Sequence, residues 1–110
     1  MSLRLRQEAS PVATTAYPVA TTTVIAGVVG QRVGIFRMVL QASGASTVQF
    51  QNTSDNSAIS GTYTFTAAEF LVLDTQINGD PWWLSKVGSG IQMVVGVAAV
   101  VADISVIQGL

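Results

Sequence analysis

Six acidic side chains, Glu8, Asp55, Glu69, Asp74, Asp80 and Asp103, are spread along this 110-residue chain with no His and no Cys beside them. No two stand at a spacing that would pair carboxylates for general acid–base work. Without His or Cys there is no Ser-His-Asp triad, no thiolate nucleophile, no redox pair and no His/Cys zinc site. Asp55 lies near Asn52 and Asn56 in a polar loop cluster. A calcium loop needs a series of acidic ligands and a closing Glu, which this cluster lacks, so Asx turns and loop caps are expected. Gly27-x-x-Gly30 and Gly88-x-Gly90 are not complete phosphate-binding fingerprints, and no helix follows them. The chain reads as a non-enzyme that needs no cofactor and no metal, and a small-molecule ligand is not expected.

Three other residues stand out for binding. Trp82 and Trp83 are adjacent, and neighbours on a strand point to opposite faces. One is expected in the core and the other at a rim or interface. An aromatic face also suits a sugar ring, which makes a carbohydrate-binding module one alternative reading. Arg37 interrupts an apolar run. Its charge must reach solvent or meet an acid such as Asp74, Asp103 or one on a neighbouring subunit, because an unpaired buried charge is costly.

These residues sit in an unusually apolar chain, 49% hydrophobic and only 10% charged, with a formal net charge of −1. That balance leaves no basic surface to follow a phosphate backbone, so nucleic acid is not an expected partner. The most apolar stretch, Ile91 to Ala102, is interrupted by Gln92. It falls short of the roughly 20 residues of a spanning helix, and no membrane partner is expected. Met1 to Arg6 is basic, but no apolar run follows as in a secretory signal.

The positioning elements read as strands. Residues 1–20 hold Pro11 and Pro18 within a repeated Pro-Val-Ala-Thr-Thr fragment. They are expected to form an extended N-terminal arm, with Pro11, Tyr17 and Pro18 as candidate contacts. From Thr21 onward, apolar segments alternate with turns. Phe36, Met38, Leu40 and Ala42 share one face of a long strand, with Ile35, Arg37, Val39 and Gln41 on the other. Ser43-Gly44-Ala45 fits a hairpin turn leading to Val48 and Phe50. Tyr63 and Phe65 alternate with threonines, and Asn78-Gly79-Asp80-Pro81 is a strong turn. Ile91, Met93, Val95 and Val97 share a face. Val100, Ala102, Ile104 and Val106 then alternate with Val101, Asp103, Ser105 and Ile107. About eight strands of this kind predict an all-β antiparallel sandwich over residues 21–110, jelly-roll-like or Greek-key.

The long strand and the last strand are apolar on both faces: Ile35 and Val39 oppose one core face, Val101 and Ile107 the other. A two-layer sandwich encloses only one face of each sheet. The surplus predicts an obligate homo-oligomer or a subunit that lives on a larger assembly, with Ile35, Arg37, Val39, Trp82 and Trp83 as candidate interface residues.

The order of segments resembles small virion proteins of tailed bacteriophages, above all capsid decoration or cement proteins. The resemblance runs through most of residues 21–110. It is carried by the Thr-Val-Ile-Ala opening strand, Gly30-Gln-Arg-Val-Gly-Ile-Phe-Arg, Ala42-Ser-Gly-Ala-Ser-Thr-Val-Gln-Phe and Ala58-Ile-Ser-Gly61. Asn78-Gly-Asp-Pro-Trp-Trp, Val87-Gly-Ser-Gly-Ile-Gln and the Val-rich closing strand complete it. It implies a non-enzymatic trimer, made in the host cytoplasm, that sits on the capsid surface and bridges major capsid subunits. A neck, tail or fibre-base component of the virion is the near alternative.

Overall fold

The computed structural model describes residues 10–109. Nine strands follow one another: β1 (Ser10–Tyr17), β2 (Thr21–Ile25), β3 (Val33–Ala42), β4 (Ser46–Asn52), β5 (Tyr63–Phe65), β6 (Phe70–Leu73), β7 (Trp83–Leu84), β8 (Ile91–Gly96) and β9 (Val100–Gln108). Among the described residues there is no helix. The first sheet runs β1-β9-β3-β6, with the short β7 also on β3; the second runs β2-β8-β4-β5. Every pairing is antiparallel. With β7 set aside, the orders 1-8-3-6 and 2-7-4-5 are those of a jelly roll.

The inner faces of both sheets build one core. Met38 and Leu40 of β3 and Ile104 of β9 meet Val48 and Phe50 of β4 and Ile91 and Met93 of β8. Each such side chain, fully buried, stabilises the fold by about 1.5–3 kcal/mol relative to exposure. The alternation expected for β4, β5 and β9 holds: Val48, Phe50 and Phe65 are buried, as are Val100, Ala102, Ile104 and Val106.

Four expectations are corrected. Ile35, assigned to the outer face, is fully buried in the core. The register of β3 on β9 shifts between Ile35 and Arg37, so Phe36 is an additional residue and the parity of the strand reverses there. Ser43-Gly44-Ala45 is not a hairpin. It carries the chain from the first sheet to the second, and Ser43 N and Oγ both donate to Ala99 O, at 3.2 and 2.7 Å. Ser46 Oγ bonds Gly96 O at 2.5 Å and Ala98 O at 2.6 Å. The two loops that cross between sheets are thereby tied side by side. Val97 does not continue the buried face of β8. It lies in the second of these loops, exposed, at φ 78°. Finally, residues 10–17 are β1 rather than arm: they pair with β9, and Tyr17 belongs to the core. Residues 1–9 of the expected arm lie outside the described residues.

At the opposite end from those loops, β2 and β8 meet through glycine. A Cβ on Gly90 would collide with Ile25 O, and one on Gly27 would lie 2.5 Å from Gly88 O. Only hydrogen at these two positions lets the backbones pass.

Candidate functional site

The outer face of the first sheet is the feature that the core does not explain. On β3, Arg37, Val39 and Gln41 point outward; on β9, Val101 and Asp103 do so, by the alternation with their buried neighbours. The register places Val39 between Val72 and Asp103, and Gln41 between Phe70 and Val101. Phe70 is 65% exposed, Val72 58% and Val101 43%, while Val39 is half-buried between them. These four side chains thus form an apolar patch that holds Gln41 between Phe70 and Val101 and is bordered by Arg37 and Asp103.

The patch runs to an open edge. β6 ends the sheet. Ala42 N donates to Glu69 O at 2.9 Å, which fixes the hydrogen-bonded pairs of β3 and β6. In an antiparallel ladder these alternate with non-bonded pairs, so Leu71 and Leu73 turn their backbone groups toward β3. Phe70 and Val72 turn theirs outward. The same two residues therefore present both apolar side chains and unpaired N–H and C=O groups.

The eight candidate residues separate into groups. Pro11 lies in β1 opposite Ser105, on the sheet edge, where a missing N–H is tolerated. Pro18 follows β1 and is exposed. Tyr17 and Ile35 are core residues, unavailable to a partner. Burial raises the Tyr17 hydroxyl above the usual phenol range. Trp83 packs on the core, stacked on Phe50 at 5.0 Å between ring centroids and tilted against Tyr63 at 5.9 Å. Trp82 faces the other way and is 40% exposed. Its N–H donates to Ile35 O at 2.8 Å and its indole Nε1 to Asp74 O at 2.7 Å. Arg37 is solvated and stands 3.6 Å from the Asp74 carboxylate. Arg37, Val39 and Trp82 thus share one flank of β3, whereas Tyr17, Ile35 and Trp83 do not reach it. Phe70 and Val72 were visible in sequence only as part of an apolar run. Their alternation with the half-buried Leu71 and Leu73 is the signal that singles them out.

A second cluster is polar and built around the buried Asn52, Ser85 and Ser89; in sequence Asn52 and Asp55 stood out as a polar loop, but not their link to Ser85, Lys86 and Ser89. Ser85 Oγ accepts from Val33 N at 2.9 Å and donates to Ser89 O at 3.0 Å. Asn52 donates to Ser57 Oγ at 3.0 Å and accepts from Lys86 N at 2.8 Å. Ser89 Oγ donates to Gly90 O at 2.9 Å. Lys86 Nζ pairs with Asp55 at 2.6 Å. Hydrogen bonds from Lys86 and Ser57 hold the Asp55 carboxyl well below the usual carboxylate range. This cluster spends its donors on loop backbone and on Asp55, so it closes the loops after β4 and β7. Asp55 acts as loop anchor, as the sequence suggested, through Ser57 and Lys86.

The fold defines a small jelly-roll sandwich with one apolar outer face. No family model matches the chain, and no curated protein matches it in sequence.

Proposed function

We propose that this chain is a non-enzymatic structural subunit that associates with copies of itself through the outer face of its first sheet. The observation that carries this reading is the patch of Phe70, Val72, Val39 and Val101 at an open sheet edge. Apolar surface of this kind marks an interface, and a flat apolar edge left bare invites unwanted pairing. Self-association through it also adds burial that a small domain lacks.

Joined to the resemblance in segment order, this reading makes the protein a capsid decoration subunit of a tailed phage. It acts as a trimer on the capsid surface and bridges major capsid subunits. Strand addition at a sheet edge suits such bridging, because main-chain hydrogen bonds hold without demanding a particular partner sequence. Co-sedimentation with purified expanded phage capsids tests it. Saturable binding that strengthens the shell against heat is expected. Absence of binding by an intact oligomer would remove the capsid role and leave the self-association standing. Deleting residues 1–9 then tests the arm without removing β1: a lower capsid affinity with unchanged native mass is the expected result.

A further inference from the structure

The loop from β6 to β7, next to the proposed interface, holds a feature outside its apolar patch. Asp74, Thr75, Gln76, Ile77, Asn78 and Trp82 line an open recess of about 490 Å³. We propose that this recess is a shallow binding site for a pyranose sugar, with the Trp82 indole as its platform. The proposal goes beyond the self-association reading and does not depend on it.

The ring is held before any ligand arrives. Its backbone N–H is bonded to Ile35 O on β3, and its indole N–H to Asp74 O across the loop. An exposed tryptophan whose only polar atom is already satisfied has just its π face left to offer. That face carries the negative lobe of the aromatic quadrupole. The axial C–H bonds of a pyranose carry partial positive charge and form a flat apolar patch of matching size.

Hydroxyl recognition needs acceptors and donors at the rim of such a platform. Asp74 supplies a carboxylate, 86% exposed, whose Oδ1 accepts from Thr75 N at 2.9 Å and stands 3.6 Å from Arg37, which leaves Oδ2 for a ligand hydroxyl. Thr75 supplies a hydroxyl. Gln76 donates to Asp80 O and Pro81 O, both at 3.2 Å, which fixes its amide and leaves Oε1 as an acceptor. The loop itself is braced. Gly79 N closes a turn on Gln76 O at 2.9 Å, and Asn78 and Asp80 bond each other twice. A preformed ring and loop lower the ordering cost of binding, which matters for a weak, open site. The recess leaves much of a sugar wet, so affinities of millimolar order are expected.

The test is saturation-transfer NMR on the full chain with methyl β-glucopyranoside, methyl β-galactopyranoside and methyl α-mannopyranoside, one at a time. At least one should receive saturation, strongest at its axial ring protons, and should shift the Trp82 indole N–H cross-peak while leaving that of Trp83 in place. Trp82→Ala should lower the affinity about tenfold and Thr75→Ala by less. Trp82→Phe, which keeps an aromatic face, should retain most of it, and it serves if Trp82→Ala does not fold. No transfer to any of the three glycosides would overturn the proposal. So would transfer that a folded Trp82→Ala leaves unchanged, or shifts confined to Trp83.

Discussion

The two sheets share a core and differ on their outer faces. On the second sheet, Gln92 donates to Gln51 at 3.0 Å and to Asn56 at 2.8 Å, and Gln51 donates to Gln49 at 2.9 Å. Thr21, Thr23, Thr47 and Thr64 flank them, around the half-buried Val94. The side-chain amides satisfy one another and meet water, so the sheet needs no cover. On the first sheet the corresponding positions hold Val39, Val72, Val101 and Phe70. Both strands that carry apolar residues on two faces, β3 and β9, are neighbours in this sheet. Four apolar side chains are thus gathered on the outer face of the first sheet, while the other exposed valines and Ile77 lie in the loops.

This contrast can be broken at graded cost. The largest effect should come from the shared core, where the sheets do not differ. Phe50→Ala removes the ring under Trp83 and should destabilise the fold by about 3–5 kcal/mol, read by urea unfolding. Gln92→Ala attacks the amide ladder of the second sheet and removes two hydrogen bonds, to Gln51 and to the exposed Asn56. A loss of about 1–3 kcal/mol is expected, with the native mass unchanged. Val97 holds a left-handed backbone that β-branched residues resist. Val97→Gly should raise stability by about 1 kcal/mol in the same assay by releasing that strain.

Acid should act more weakly still. Hydrogen bonds from Thr66 and Ala67 lower the pKa of Glu69, and Lys86 with Ser57 lowers that of Asp55. A depressed carboxylate stabilises the fold fully above its unfolded value and loses that contribution as pH falls through its folded value. Both groups are exposed, so the effect is screened. A shallow decline in melting temperature below about pH 4.5 is expected, flattened in Asp55→Asn and Glu69→Gln variants.

The contrast between the sheets was half legible in sequence. Strict alternation in β4 and β9 showed which residues face inward, and the double apolar pattern of β3 and β9 marked the sheet with surplus. What strand belongs to which sheet was not legible, because pairing joins residues far apart in the chain and leaves no local trace. Ser43-Gly44-Ala45 is as short as a hairpin turn, yet it crosses between layers. Ile35 was misplaced because one extra residue at Phe36 inverts the parity, and the one local sign of that bulge, Gly34, stands two residues before it. Tyr17 was hidden between two prolines in a stretch that reads as tail. Pro11 fits β1 only because β1 is an edge. Of the candidate interface, Arg37 and Val39 were readable from β3 alone, whereas Phe70 and Val72 needed the register of β6.

The smallest expected change in subunit stability decides the central claim. Phe70→Lys/Val72→Lys places two charges on the open edge of the first sheet and should alter subunit stability by no more than about 0.5 kcal/mol. The measurement is native mass by light scattering across a dilution series, wild type beside this variant. A wild-type trimer that persists on dilution and a folded monomeric variant are expected. A wild type that is monomeric at every concentration, or a variant with the same oligomeric mass, would contradict that claim.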